Sequence, residues 1–377
     1  MSRENDISAR GRPGHADENE IVERIIKRYA ASHPLLEKGI GDDAAVWLPG
    51  GAREFWVATT DMLLEDVDFR REWAPPRKLG CKSIAVNLSD LGAMGSKPRF
   101  FTVSLGLPDD ITNRWIQDFY AGLTSFGGEY GAILVGGDLS GADKITISIT
   151  AFGESENRKI VYRSGGLPGD LLYVTGTLGK SAAGLKLLQQ GSRLQPRCSA
   201  AAKREALIAH FTPEPRCSVG QWLAQSNCVH CMMDVSDGLS SDLPRMCAAS
   251  GTDAEIFTEK IPVFTKSSSW GFDALELALS GGEDYELLFA VPREKEYILE
   301  KLPPEFPPVT RIGRMIKGNG KAWIIGANGM REPLSVGGFD HFRGSRYCAG
   351  ACLRCANKSS SKKLKNQGLQ PRQKRNL

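Results

Sequence analysis

Two aspartates stand side by side in Gly39-Ile40-Gly41-Asp42-Asp43-Ala44-Ala45-Val46, set between glycines and an apolar run. Adjacent carboxylates repel, so a chain that packs tightly around them needs a cation there. The same grammar of apolar run, acid and small residue returns downstream. Thr59-Thr60-Asp61 ends Phe55-Trp56-Val57-Ala58, and Asp90 follows Val86-Asn87-Leu88-Ser89. Gly136-Gly137-Asp138 closes Ile133-Leu134-Val135, and Met232-Met233-Asp234-Val235-Ser236-Asp237-Gly238 carries two acids. A single Asp at a strand end is commonly a turn former or a helix cap. Repetition changes that reading, because burying several unpaired carboxylates is costly, whereas hard divalent cations bind them through oxygen. Mg²⁺ takes one or two carboxylates and completes its shell with water and phosphate oxygens. Many acids without surrounding His or Cys therefore point to several Mg²⁺ and a phosphate-rich ligand, and away from zinc.

At 377 residues the chain is long for one core, and two domains are expected. A hydrophobic content of 41% and a charged content of 24% are those of a globular protein. The formal net charge of +4 comes largely from the last stretch, Lys358 to Lys374, where Lys and Arg occur with no acid among them. The body is then near neutral, which argues against a nucleic-acid groove on it. No stretch has the roughly 18 apolar residues of a membrane span, and the N-terminus is polar; the expectation is a cytoplasmic chain without a membrane partner. Nine irregularly spaced cysteines suit a reducing compartment.

Residues 1–19 are polar and are expected to be a disordered extension. The spacing of Ile21, Val22, Ile25, Ile26 and Tyr29 predicts an amphipathic helix. Strands are expected at Ala45 to Pro49, Phe55 to Thr60, Phe100 to Leu105 and Ile145 to Thr150. Helices are expected from Arg77 to Gly95 and from Thr112 to Tyr130, the second capped by Thr112. Ile133 to Val135 reads as a strand that breaks at Gly136-Gly137. Glycine and proline concentrate in Arg163 to Asp170, so a boundary is placed near there. Beyond it come strand Leu171 to Val174, a helix through Leu187, strand Cys231 to Asp234, helix Leu239 to Ala249, and a loop Ser280 to Asp284 leading into strand Tyr285 to Val291. A Gly-Gly-acid turn is expected in each half. The division is an extension (1–19), an N-terminal domain (20–160), a C-terminal domain (161–343) and a Cys-containing basic tail (344–377), expected to be disordered.

Two nucleotide signatures nearly match and fail in context. Gly39-x-Gly41-x-x-Ala44 lacks the preceding strand and following helix of a dinucleotide fingerprint. Gly179-Lys180-Ser181 resembles a P-loop end, but the leading glycine position is Val174. Cys228-x-x-Cys231 and the tail cysteines have spacings that zinc could use, but no paired histidine motif completes the set.

Taken together and in order, Gly-x-Gly-Asp-Asp-Ala at 39–44, Thr-Thr-Asp-Met-Leu at 59–63, Val-Asn-Leu-Ser-Asp-Leu at 86–91, Gly-Gly-Asp at 136–138, Asp-Val-Ser-Asp-Gly-Leu at 234–239, Ser-Gly-Gly-Glu-Asp-Tyr-Glu-Leu at 280–287 and Gly-Gly-Phe-Asp-His-Phe at 337–342 resemble the thiamine-monophosphate kinase family. That family belongs to the superfamily of aminoimidazole ribonucleotide synthetase, and the resemblance covers roughly residues 20–343. It implies a two-domain α/β (α+β) fold, with an N-terminal ATP-binding domain that dimerises through its sheet. It implies transfer of the ATP γ-phosphoryl group to thiamine monophosphate, with several Mg²⁺ and a homodimer. Carried over by position, Mg²⁺ falls to Asp42, Thr59, Thr60, Asp61, Asp90, Asp138, Asp234 and Asp237. ATP falls to Tyr120, Gly137, Asp138, Arg163 and Ser236, and substrate to Glu283 and Phe339.

The chemistry agrees. A phosphate monoester has a second pKa of about 6, so near neutrality it is already an oxyanion nucleophile and no general base is required. What the reaction needs is relief of repulsion and in-line alignment. One residue departs from the family pattern: Asp68 stands where the family usually has a substrate-contacting histidine, and an altered substrate contact is expected there. The alternatives are a sister ATP-using synthetase of the superfamily, or an impaired ATP- or thiamine-phosphate-binding protein.

Overall fold

The computed structural model describes residues 18–191, 199–335 and 337. Helix α1 (Glu18–Tyr29) precedes strands β1 (Leu36–Lys38), β2 (Ala45–Trp47) and β3 (Trp56–Leu64), helix α2 (Pro76–Ala93), strand β4 (Lys97–Leu107), helix α3 (Asn113–Glu129), and strands β5 (Ile133–Gly141) and β6 (Thr146–Glu154). Thr112 caps α3 as expected, its hydroxyl accepting the Trp115 N–H. The strands form a six-stranded sheet in the order β1-β2-β3-β6-β4-β5. Its pairings are antiparallel except β4 with β5, which α3 connects as a crossover helix. β6 alternates half-buried and buried along its length, as a strand with one covered face should.

Helices α2 and α3 touch backbone to backbone. A Cβ on Gly80 would stand 2.1 Å from the Phe119 carbonyl oxygen, and one on Gly122 would stand 1.8 Å from that of Arg77. Two small residues thus set the spacing of the layer that carries Asp90.

The second half contains β7 (Leu171–Thr175), α4 (Lys180–Gln190), α5 (Ala200–Phe211), α6 (Cys217–Ser226), β8 (Cys231–Val235), α7 (Leu239–Ser250), β9 (Asp253–Phe257), α8 (Ala274–Ser280), β10 (Glu286–Val291), β11 (Val309–Ile316), β12 (Ala322–Ile325) and β13 (Arg331–Pro333). These strands form a seven-stranded sheet in the order β13-β12-β9-β11-β7-β10-β8. Every residue of β7, β8 and β10 is buried, which explains their continuous apolar runs. The halves are joined through α2 and α6: a Cβ on Gly220 would stand 1.9 Å from the Gly92 carbonyl oxygen, and the Cys217 thiol donates to the Leu88 carbonyl at 3.1 Å.

Three expectations change. β5 does not break at Gly136-Gly137 but continues to Gly141, because Gly137 lies where a Cβ would stand 1.9 Å from the Val103 carbonyl oxygen of β4; glycine permits that pairing. The two Gly-Gly-acid stretches therefore do not share a turn. Asp138 belongs to a strand, whereas Glu283 sits in a loop with a left-handed φ of 68°. Helices α5 and α6 occupy a stretch for which the sequence predicts no element. The N-terminal extension up to residue 17, the basic tail and Phe339 lie outside the described residues.

Candidate active site

A cavity of about 540 Å³ opens between the two halves, and most of the acids found in the sequence line it. Strand β3 supplies Thr59, Thr60 and Asp61, with period two placing Thr59 and Asp61 on one face. The Thr59 hydroxyl donates to Asp90 Oδ2 of α2 at 2.5 Å. Thr60 points its hydroxyl the other way, to the Ile149 carbonyl at 3.0 Å. From β8 comes Asp234, whose Oδ2 accepts from Ser89 Oγ at 2.6 Å.

Asp43, Asp90 and Asp234 converge, one carboxylate oxygen of each lying within 4.8 Å of the others. Burial, then the neighbouring carboxylates, hold Asp90 and Asp234 well above the usual aspartate range. Burial also raises Asp43 against the pull of Arg163. Asp61 is pushed up to about 6, by burial first and then by Asp237 and Asp68. Three converging acids are stable as anions only beside a positive charge. Asp43 Oδ2 is buried without a hydrogen-bond partner, so an acceptor already faces inward. An all-oxygen donor set with an unsatisfied buried oxygen fits a hard divalent cation.

The adjacent acids divide their work. Asp42 Oδ1 accepts the backbone N–H of Arg163 at 3.1 Å, and Asp42 Oδ2 lies 3.3 Å from Lys38 Nζ. Asp42 lines the cavity, but the member of the carboxylate cluster is Asp43, the other half of the adjacent pair expected to need a cation; the resemblance carries the metal onto Asp42. Arg163 pairs with Asp43 through its guanidinium. Ser236 and Asp237 follow β8 on the cavity wall, and Arg245 of α7 reaches Asp237.

Glu283 forms another wall, held by both halves of the chain. Lys82 Nζ of α2 is 2.5 Å from Glu283 Oε1, and His210 Nδ1 of α5 is 3.2 Å from Oε2. Burial alone would raise this carboxyl, but the Lys82 ammonium and His210 outweigh it and hold it at about 2. Asp68 also lines the cavity, and its Oδ2 accepts the Leu64 N–H at 2.8 Å.

Three expected residues do not meet this group. Gly137 and Asp138 lie exposed on the edge strand β5, and Tyr120 packs on α3 with its ring edge-on to Phe119. None of the three lines the cavity. The unforeseen residues are Lys82, His210 and Arg245. Lys82 left a signal, since a lysine interrupts a helix that is otherwise buried nearly all round. Cys228 and Cys231 are free and buried.

Two sheets with an acid-lined cavity between them define the class, and the sequence matches agree. Residues 41–155 match the family described as AIR synthase related protein, N-terminal domain, and residues 168–325 match its C-terminal domain. The thiamine-monophosphate kinase of Bacillus subtilis (strain 168) is 34% identical over 87% of this chain and 100% of that protein. That of Escherichia coli (strain K12) is 37% identical over 85% and 97%. A solved structure described as AaThiL complexed with AMPPCP and TMP superposes with a TM-score of 0.74 at 32% identity, covering 86% of this chain and 97% of that one. The chain belongs to the thiamine-monophosphate kinase family.

Proposed function

We propose that the chain transfers the γ-phosphoryl group of ATP to thiamine monophosphate, forming thiamine diphosphate and ADP. The observation that carries this reading is the convergence of Asp43, Asp90 and Asp234 in a cavity that Arg163 also lines. A solved relative described as complexed with AMPPCP and TMP supports the choice of ligands.

In this reading Asp43, Asp90 and Asp234 hold Mg²⁺, with Asp42, Thr59, Thr60, Asp61 and Asp237 around them. Bound there, Mg²⁺ would offset the charge of the phosphates and fix their oxygens. Arg163 faces the same phosphates with a guanidinium that cannot lose its proton. Ser236 offers a hydroxyl beside them. Glu283, held charged by Lys82 and His210, faces the thiazolium ring of the acceptor together with Asp68. No side chain has to remove a proton, because the acceptor phosphate is already anionic near neutrality.

A homodimer belongs to the same proposal. β5 ends its sheet with unpaired main-chain groups, and Ile133, Val135 and Leu139 on it are exposed. A second copy on this edge would cover them, and would give Tyr120, Gly137 and Asp138 a place near a nucleotide. The division into domains at 20–160 and 161–343 is likewise proposed, as is a cytoplasmic setting, for which the free described cysteines speak. Among the described residues no helix is long and apolar enough to cross a membrane.

The test is ADP release from ATP and Mg²⁺ with thiamine monophosphate, with free thiamine, and without acceptor, the product being identified by mass. Thiamine diphosphate formed only from the monophosphate is the expected result. Nucleotide binding without product would overturn the reading.

A further inference from the structure

The acids of the cavity fall into two sets that meet different cations. Asp43, Asp90 and Asp234 converge, and although Asp43 Oδ1 meets the Arg163 guanidinium, its buried Oδ2 stays unsatisfied. Asp237 and Asp242 instead share one guanidinium: Arg245 Nη1 donates to Asp237 Oδ2, and to Asp242 Oδ1 at 2.9 Å. Asp242 Oδ2 accepts the Asp237 N–H at 3.1 Å, so loop backbone, both carboxylates and the guanidinium close into one ring. Arg245 lies three residues beyond Asp242 on α7, a spacing that puts the two side chains on one helix face. Its side chain is only 21% exposed, and the guanidinium keeps its charge at any pH the fold survives.

We infer that Arg245 takes the place of a divalent cation at the Asp237–Asp242 end of the cavity, leaving metal to the Asp43–Asp90–Asp234 end. The inference rests on the Mg²⁺ reading given above. An ion approaching Asp237 would have to displace a guanidinium held by a buried carboxylate on its own helix, and would meet its positive charge. A fixed guanidinium can still donate to a phosphate oxygen, but it has no coordination positions to share between a carboxylate and a phosphate. Asp237 therefore acts as an anchor for Arg245 and not as a metal ligand while Arg245 is present.

The experiment counts Mn²⁺, used in place of Mg²⁺, bound by the full chain with AMPPCP present, by the loss of the free-ion paramagnetic resonance signal. Arg245→Met should bind one more ion than the wild type. Asp237→Asn should bind the wild-type number, and Arg245→Met with Asp237→Asn should lose the extra ion. Equal counts in the wild type and Arg245→Met would overturn the inference. So would loss of an ion in Asp237→Asn with Arg245 in place, a result that needs no arginine variant to fold. A wild type that binds no Mn²⁺ would remove the Mg²⁺ reading, and this one with it.

Discussion

Ser89 Oγ donates to Asp234 Oδ2 at 2.6 Å, and through this bond α2 of the first half fixes a carboxylate carried by β8 of the second. Thr59 does the same for Asp90 within the first half. Each hydroxyl fixes one oxygen of its carboxylate, so two of the three converging acids are oriented before a cation arrives.

Ser89→Ala should therefore act on stability and on metal response together. Losing a buried hydrogen bond to an acid costs about 1–3 kcal/mol. The melting temperature should fall, and the stabilisation by added Mg²⁺ should shrink because Asp234 is no longer oriented. A variant that melts lower but keeps the full Mg²⁺ response would show that Ser89 only packs.

Lys82→Met tests the wall opposite. Lys82 is 2% exposed and Glu283 keeps its charge largely through it. Removing one partner of a buried pair costs roughly 3–5 kcal/mol, and His210 recovers part of that. The Michaelis constant for thiamine monophosphate should rise more than turnover falls. Adding Glu283→Gln should recover most of the stability without recovering the Michaelis constant, a split measurable by thermal melts and initial rates.

The elements were legible in the sequence wherever one physical rule dominated. The alternation in Ile145 to Thr150 became β6, which buries one face, and the 3.6-residue spacing in Ile21 to Tyr29 became α1, although Val22, Ile25 and Tyr29 of its apolar stripe are exposed. Asp61, Asp90 and Asp234 were legible because an acid closing an apolar run needs a reason to be there. The choice between Asp42 and Asp43 was not. It depends on distant partners: the Arg163 N–H and Lys38 engage Asp42, while Asp43 joins Asp90 and Asp234. β5 runs on through Gly136-Gly137, where local glycine rules speak of turns, because the close approach to Val103 is a tertiary fact. Arg245 was invisible for a related reason: an arginine three residues after an aspartate is ordinary on any exposed helix, and only the fold turns it into the cavity.

Asp68 performs two tasks that substitutions can separate. Its Oδ2 accepts the Leu64 N–H at 2.8 Å, and its charge faces the cavity. Asp68→Asn keeps an acceptor and removes the charge, so stability should stay within about 0.5 kcal/mol. Because that charge faces the thiazolium of the acceptor, removing it should raise the Michaelis constant about fivefold, equivalent to ~1 kcal/mol at effective dielectric values near a protein surface. Asp68→Ala should lose about 1 kcal/mol by leaving the Leu64 N–H without its acceptor. An unchanged Michaelis constant in Asp68→Asn would remove the residue from the substrate contact.

Asp284, next to Glu283, sets a pH dependence of opposite sign to its neighbour's. Its carboxylate accepts the Gly179 N–H at 2.6 Å and the Ser181 N–H at 3.3 Å, tying down the start of α4. Burial nevertheless pushes it up from 3.8 to about 7, against both donors. The folded chain thus keeps a proton that the unfolded chain releases. That contribution to stability is complete below pH 3.8, and it is lost as pH rises to about 7. Glu283 behaves conversely: its contribution is complete above its ordinary value of 4.5 and is lost as pH falls toward about 2. Asp284→Asn cannot titrate, so between pH 4 and pH 7 its stability should rise relative to the wild type, levelling off above that range. Urea unfolding of both proteins across this range measures the difference directly, and parallel curves would show that Asp284 does not hold its proton in the folded state.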